Sequence, residues 1–262
     1  MLKITIKDIA KALGVSVSTV SKALSDSYEI SENTKRKIKE YARDHDFSIN
    51  KVAQSLKLGR TNTIGVIANA INNDFVSQIL DGIQEASVET RYDIIIMQSM
   101  EDELVEKSCI EVLKSRGVDG LLISPVSESS NIGLLQSFMD ANIPVVLFDR
   151  MNSSLNTFKF GVKNFEGAYQ ATLHLLEQGN KDILHITGSQ LSLAQERFNG
   201  FNTAHVDFGV PFQEKNYVAC ELKVLEEVDL SIKDAIIKAR LAGQMPDAIF
   251  GATDLITVRT LG

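Results

Sequence analysis

The chain has 262 residues, of which 44% are hydrophobic and 23% charged, and a formal net charge of −7, a balance that fits a folded globular protein and argues against global disorder. No stretch approaches the roughly 18–20 consecutive apolar residues of a bilayer span, and the opening MLKITIKDIAKALG alternates charged and apolar residues where a signal peptide would be uninterrupted, so a cytoplasmic location is expected. The charge divides unevenly: residues 1–60 hold 12 Lys/Arg against 7 Asp/Glu, and residues 61–262 hold 15 against 27. That is the asymmetry of a basic head that meets a polyanion, set on an acidic body; a solvated basic helix face accounts for the head's excess equally well.

Ile6, Ile9, Ala10 and Leu13 form one helical stripe. Thr5 precedes it with Asp8 three residues on, a capping-box start, and Gly14 follows it as a stop. A second short helix begins after Ser16, with Val20, Ala23 and Leu24 on one side and Val17, Ser18, Ser21 and Lys22 on the opposite arc. That arc is short and lightly charged. It suits a helix sunk in the major groove, where hydroxyls reach phosphates or base edges, Val17 a thymine methyl, and Lys22 a guanine or a phosphate. An ordinary surface helix is the competing reading. A third helix starts near Ser31 and turns Ile38, Tyr41 and Ala42 inward, leaving Lys35, Arg36, Lys37 and Lys39 to solvent. Helix, tight glycine turn and short helix make a helix-turn-helix. The next segment, NKVAQSLKLGR (50–60), is a basic helix candidate too short to hold alone; it reads as a linker or as a segment that folds on contact.

From Thr63 the period changes. Short β-rich runs occur at 63–69, 93–98, 119–124, 144–149, 159–162, 182–188 and 248–253. Helical patterns lie between them, such as Phe75, Ile79, Ile83 and Ala86, or Leu104 through Leu113. Buried runs alternating with helices imply parallel sheets covered on both faces, a doubly wound α/β fold.

Catalytic and metal signatures do not emerge. Cys109 and Cys220 form no ligand spacing and read as reduced, partly buried thiols, and His45, His174, His185 and His205 are equally scattered. There is no G-x-S-x-G, P-loop or G-x-G-x-x-G. Neither a cofactor, a metal nor an enzyme activity is expected.

The segment VSVSTVSKALS, the third helix opening at Ser31, and NKVAQSLK resemble, in that order, the head of the lactose/galactose repressor (LacI) family. The resemblance continues through TIGVIAN, RGVDGLLISP, IPVVLFDR and QERFNGF, over practically the whole chain. It implies a small all-α helix-turn-helix head at 1–48, a hinge helix or linker at 49–61 and an effector-binding sensor at 62–262. The sensor would be a periplasmic-binding-protein-like pair of doubly wound parallel-sheet subdomains, about 62–160 and from about 161. The second of these is expected to be C-terminally incomplete, because the family runs on for several more strands and helices.

The same resemblance implies residue roles. Val17, Ser18 and Lys22 match base-reading positions, while Thr5, Ser16, Thr19, Ser21, Ser31 and Thr34 match positions that bond phosphates or cap helices beside them. Asn50, Ala53 and Leu56 fall in the hinge helix, whose leucine wedges into the minor groove. In the sensor, ligands of open α/β sheets sit beyond the carboxyl ends of the strands, at 69–75, Asp149–Arg150, the loop at Ser189 and Thr253–Asp254. There Phe75 matches a wall, Asp149 a hydroxyl acceptor, Arg197 the arginine that fixes the effector, and Asp254 the acidic half of an Asn-Asp pair. Thr253 in place of that Asn, and Gly179-Asn180 in place of Gly-His, depart from the family's pattern. The implied protein is a DNA-binding repressor, a homodimer on double-stranded operator DNA, released or recruited by a small-molecule effector of sugar type, without membrane association. A periplasmic-type solute-binding protein shares the sensor fold, but a basic head makes no sense for it.

Overall fold

The computed structural model describes residues 4–48, 59–72, 74–151, 153–188, 192–220 and 225–261, and the chain divides into two units, Met1–Thr61 and Asn62–Gly262. In the first unit α1 (Ile6–Leu13) is held by a complete capping box: Asp8 N–H donates to Thr5 Oγ1, and Thr5 N–H donates back to the Asp8 carboxylate at 2.8 Å. Gly14 ends the helix at φ 64°, a left-handed conformation that a side chain would strain. After this turn comes α2 (Val17–Leu24), and then α3 (Glu32–Asp44), with Ser16 and Ser31 as N-caps. Ile9, Ala10, Val20, Ala23, Ile38 and Ala42 form the core where the three helices meet.

Lys35 corrects the sequence reading. It is buried, on the same stripe as Ile38 and Ala42 three and seven residues on, and its ammonium reaches Glu32 at 2.7 Å. Its methylene stem covers apolar surface while its charge escapes to a partner.

In the second unit, β1 (Thr63–Ala68), β2 (Asp93–Gln98), β3 (Gly120–Ile123), β4 (Val145–Phe148) and β5 (Phe158–Phe160) form one parallel sheet in the order β2-β1-β3-β4-β5. The pleat sends alternate residues to opposite faces. Ile67, Leu121, Ile123, Val145 and Leu147 pack against α5 (Glu103–Ser115) and α6 (Ile132–Asp140). Val66, Ala68 and Phe148 pack on the other face against α4 (Asp74–Thr90).

A second parallel sheet, β7-β6-β8, is made of β6 (Ile183–Gly188), β7 (Tyr217–Cys220) and β8 (Ala248–Gly251). Around it lie α7 (Asn164–Glu177), α8 (Ser192–Phe208), α9 (Leu225–Leu241) and α10 (Asp254–Leu261). Leu184, Ile186 and Cys220 face Val228 and Ile232 of α9, while Ile183 faces Leu176 of α7 and Phe201 of α8. His185, fully buried, lies near parallel to Tyr217 and Phe250 with ring centroids at 5.6 and 5.2 Å, and meets Phe198 and Phe201 edge-on. Neither of its ring nitrogens has a hydrogen-bond partner among the described residues.

β7 and α9 go beyond the elements the periodicity picks out, and the run expected at 159–162 pairs at Phe158–Phe160 instead. The two cysteines are buried and free.

Candidate functional site

In the head, Val20 and Ala23 are sealed inside, and the opposite arc of α2 is open: Val17 is 45% exposed and Ser18 and Lys22 are exposed, with Ser21 half-buried. Ser16 Oγ accepts from Thr19 N–H at 3.0 Å and lies 2.8 Å from both Ser18 Oγ and Thr19 Oγ1. Ser31 Oγ accepts from Thr34 N–H at 3.3 Å and lies 2.8 Å from Thr34 Oγ1. Thr5, Ser16, Thr19, Ser31 and Thr34 therefore all sit at helix starts, where backbone N–H groups and the helix dipole favour an anion. Lys22 is the exception to the open arc: its ammonium is paired with Glu29, in the loop before α3. Lys39 of α3 is likewise paired with Asp26 of that loop. Asn50, Ala53 and Leu56 lie outside the described residues.

In the second unit the carboxyl ends of the strands gather the polar groups. Asp149 follows β4 in a tight three-residue turn, at φ 59°, with Arg150 N–H donating to Phe148 O at 2.7 Å. Burial pushes its carboxyl up, against the opposing pull of Arg150, Arg197 and a hydrogen bond from Ser124 at the end of β3. Arg197, on α8, donates from Nε to Asn164 Oδ1 of α7 at 2.8 Å and from Nη1 to Ala252 O beyond β8. Burial lowers its pKa, and Asp149 and Asp254 hold it up. At the start of α10 Thr253 Oγ1 accepts from Ile256 N–H at 3.2 Å and Asp254 Oδ1 from Leu255 N–H at 2.8 Å, and the Asp254 carboxylate also acts on Arg197. Three of the four expected effector residues, Asp149, Arg197 and Asp254, thus share one electrostatic neighbourhood. The fourth, Phe75, is half-exposed in the first turn of α4, after the carboxyl end of β1. The loop at Ser189 lies outside the described residues.

Beside Asp149 is a second arginine whose role the spacing does not announce. Arg150 donates to Glu101 through both terminal nitrogens, Nη1 to Oε2 at 2.7 Å and Nη2 to Oε1 at 2.6 Å, and from Nη1 to Val126 O at 3.1 Å. Buried Asn69, in the amide orientation that satisfies both its ends, accepts from Arg150 Nε at 2.8 Å and donates to Ser124 O at 2.7 Å. Glu101 and its neighbour Met100 are both left-handed, at φ 57° and 53°, a strained pair for residues with side chains. Asn69 and Arg150 fall in the strand-end segments marked in the sequence. Glu101 was findable by the same rule, since it follows β2, but its partner is 49 residues away.

Among the described residues no group of three or more His, Cys, Asp or Glu could hold a metal ion, and no helix is long and apolar enough to cross a membrane.

Two protein families match the chain: bacterial regulatory proteins of the lacI family over residues 5–50, and the periplasmic binding protein domain over residues 64–258. The chain is 30% identical over 215 residues to the HTH-type transcriptional regulator DegA of Bacillus subtilis, covering 81% of this chain and 64% of that one. It is 31% identical over 211 residues to the HTH-type transcriptional repressor PurR of Aliivibrio fischeri, covering 79% of this chain and 62% of the relative. The chain therefore spans just under two thirds of the length of these curated relatives. Among solved structures, the lac repressor dimer bound to operator and the anti-inducer ONPF superposes with a TM-score of 0.81 at 20% identity, over 99% of this chain and 76% of that one. That likeness concerns the fold.

Proposed function

This chain belongs to the lacI family of bacterial regulatory proteins, and from that membership we propose that it is a sequence-specific DNA-binding transcriptional regulator, a repressor, whose operator binding a small sugar-like effector controls. The observation that carries the reading is α2: its apolar side is sealed by Val20 and Ala23, its N-terminus is capped by Ser16, and its outer arc carries only Val17, Ser18, Ser21 and Lys22. Low bulk lets such a helix approach base edges, and the capped starts of α1, α2 and α3 supply phosphate contacts on either side of it. Two copies on a pseudo-palindromic duplex follow from the way a helix-turn-helix reads half-sites. An arginine between two carboxylates offers directional donors and acceptors to vicinal hydroxyls, which supports the sugar-type effector. The family's relatives are regulators, and the catalytic constellations an enzyme needs do not emerge from the sequence. A cytoplasmic site of action goes with this reading.

The test is selection of preferred sequences from a randomised duplex pool, followed by a salt titration on the winning site. The expected result is a two-fold symmetric consensus bound with an affinity that falls steeply with salt, by about 0.9 logarithmic units per phosphate contact for each unit of log salt. Recovery of no consensus would overturn the proposal. The solute-binding alternative predicts sugar binding with no retention of DNA at any salt.

A further inference from the structure

In Arg150, Nη1 donates to Glu101 and Val126 O and Nη2 donates to Glu101, while the Asn69 amide oxygen stands 2.8–3.0 Å from all three guanidinium nitrogens. The side chain is 11% exposed and its carboxylate partner 30%. Arg150 thus stands beside the effector carboxylate Asp149 with its charge matched by Glu101 and both terminal nitrogens engaged. Arg197 is differently placed. Its Nε and one Nη1 hydrogen bond go to Asn164 and Ala252, and its remaining N–H groups have no hydrogen-bond partner among the described residues.

The charged groups that act on Asp149 and Arg197 are Arg150, Glu101, Asp254 and the exposed Glu196. Carboxylates therefore outnumber guanidinium groups around this neighbourhood. A phosphate entering it would meet one arginine already flanked by Asp149 and Asp254, and a second already closed by Glu101. A hydroxyl-rich neutral molecule meets the opposite situation: acceptors at both carboxylates and donors at Arg197, with no charge to desolvate.

We propose that Glu101 is a specificity-determining residue: by closing Arg150 it turns anions away from the Asp149–Arg197 neighbourhood, so that the effector is an uncharged polyhydroxyl compound, an unphosphorylated sugar rather than a sugar phosphate. This deepens, and rests on, the effector reading given above. The left-handed backbone at Met100 and Glu101 is what turns the Glu101 carboxylate onto both terminal nitrogens of Arg150. Replacing the carboxylate by an amide keeps the shape but removes the charge, and hands Arg150 to whatever anion is offered.

The probe is inorganic phosphate, so the effector need not be known. Thermal unfolding of the full chain is followed against phosphate at constant ionic strength for the wild type, Glu101→Gln, Glu101→Ser, and Glu101→Gln combined with Arg150→Met, each checked for fold by circular dichroism. Any general salting effect of phosphate appears in the wild type and is the reference. The expected outcome is a saturable stabilisation in Glu101→Gln and Glu101→Ser, with phosphate bound at least about tenfold more tightly than by the wild type, and its loss in the double variant. Ribose and ribose 5-phosphate, then fructose and fructose 1-phosphate, are run as matched pairs. Saturable binding of phosphate or of either sugar phosphate by the wild type overturns the proposal, and so does a Glu101 variant that folds and gains no phosphate affinity. Duplex binding is measured on the same wild-type sample: its absence would overturn the regulator reading and leave the phosphate comparison standing.

Discussion

His185 carries an imidazole with no hydrogen-bond partner among the described residues inside a cage of four aromatic rings, and burial there lowers its pKa from 6.5 to about 4. The unfolded chain titrates at the ordinary value. Above pH 6.5 both states hold the ring neutral and stability is full. As pH falls from about 6.5 towards 4, the unfolded chain takes up a proton the folded one refuses, so stability is lost across that window. The loss reaches about 3 kcal/mol at its low end, read as a falling urea midpoint of the second unit. His185→Phe fills the same cage without polar atoms and flattens that slope; an unchanged slope in the variant would assign the pH dependence elsewhere. His205, also lowered by burial, acts in the same direction in either protein. These residue-level environments are the least legible part of the sequence. His185 sits at one alternation step of a strand, so its burial is readable, but the rings that surround it come from α8, β7 and β8. The Glu101–Arg150 closure is invisible for the same reason: nothing local to either residue names the other. Lys35 was legible in principle, since it shares a seven-residue stripe with Ile38 and Ala42, but its charge argues the other way.

Elements fared better, because period and caps are local. Thr5 with Asp8, Ser16, Gly14 and Ser31 each mark a helix boundary that the structure reproduces, and the runs at 93–98 and 182–188 are strands within a residue. β7 follows a 3-10 turn at Glu214–Asn216, and its sequence YVAC is not among the runs the periodicity marks. The approach of α7 to α8 is fixed by a single glycine. A Cβ at Gly200 would run into the Phe165 carbonyl and stand 3.0 Å from Tyr169 N. Gly200→Ala forces the two helices apart and costs about 1–3 kcal/mol. Gly167→Ala on the facing helix meets nothing within 4 Å and leaves stability level or raises it by about 0.5–1 kcal/mol. Equal gains from both would show that helix propensity, and not close approach, is at issue.

The whole molecule holds separate cores: one of three short helices, and those of two parallel sheets. A unit of about 60 residues buries proportionately little of its surface and is marginal on its own, so the two units are expected to melt in separate calorimetric transitions. Gly14→Ala places a methyl group on left-handed backbone with open space around it and lowers the head transition by about 1–2 kcal/mol. Gly200→Ala lowers the other transition, and the combined variant shows the two losses independently. If either substitution moves both transitions, the units unfold as one.

If the head binds DNA as proposed, the Lys22–Glu29 pair would alter how it travels. A lysine that must release a carboxylate before it takes a phosphate makes an exchange, and its gain on an arbitrary duplex is the small difference between two similar attractions. Lys39 is in the same position with Asp26. On that reading the head's grip on random DNA would be looser than its count of basic residues implies, which would shorten each pause between binding sites. Only a sequence that gives Lys22 a better acceptor than Glu29 would hold the protein in place: the carboxylate would set the threshold at which scanning turns into arrest.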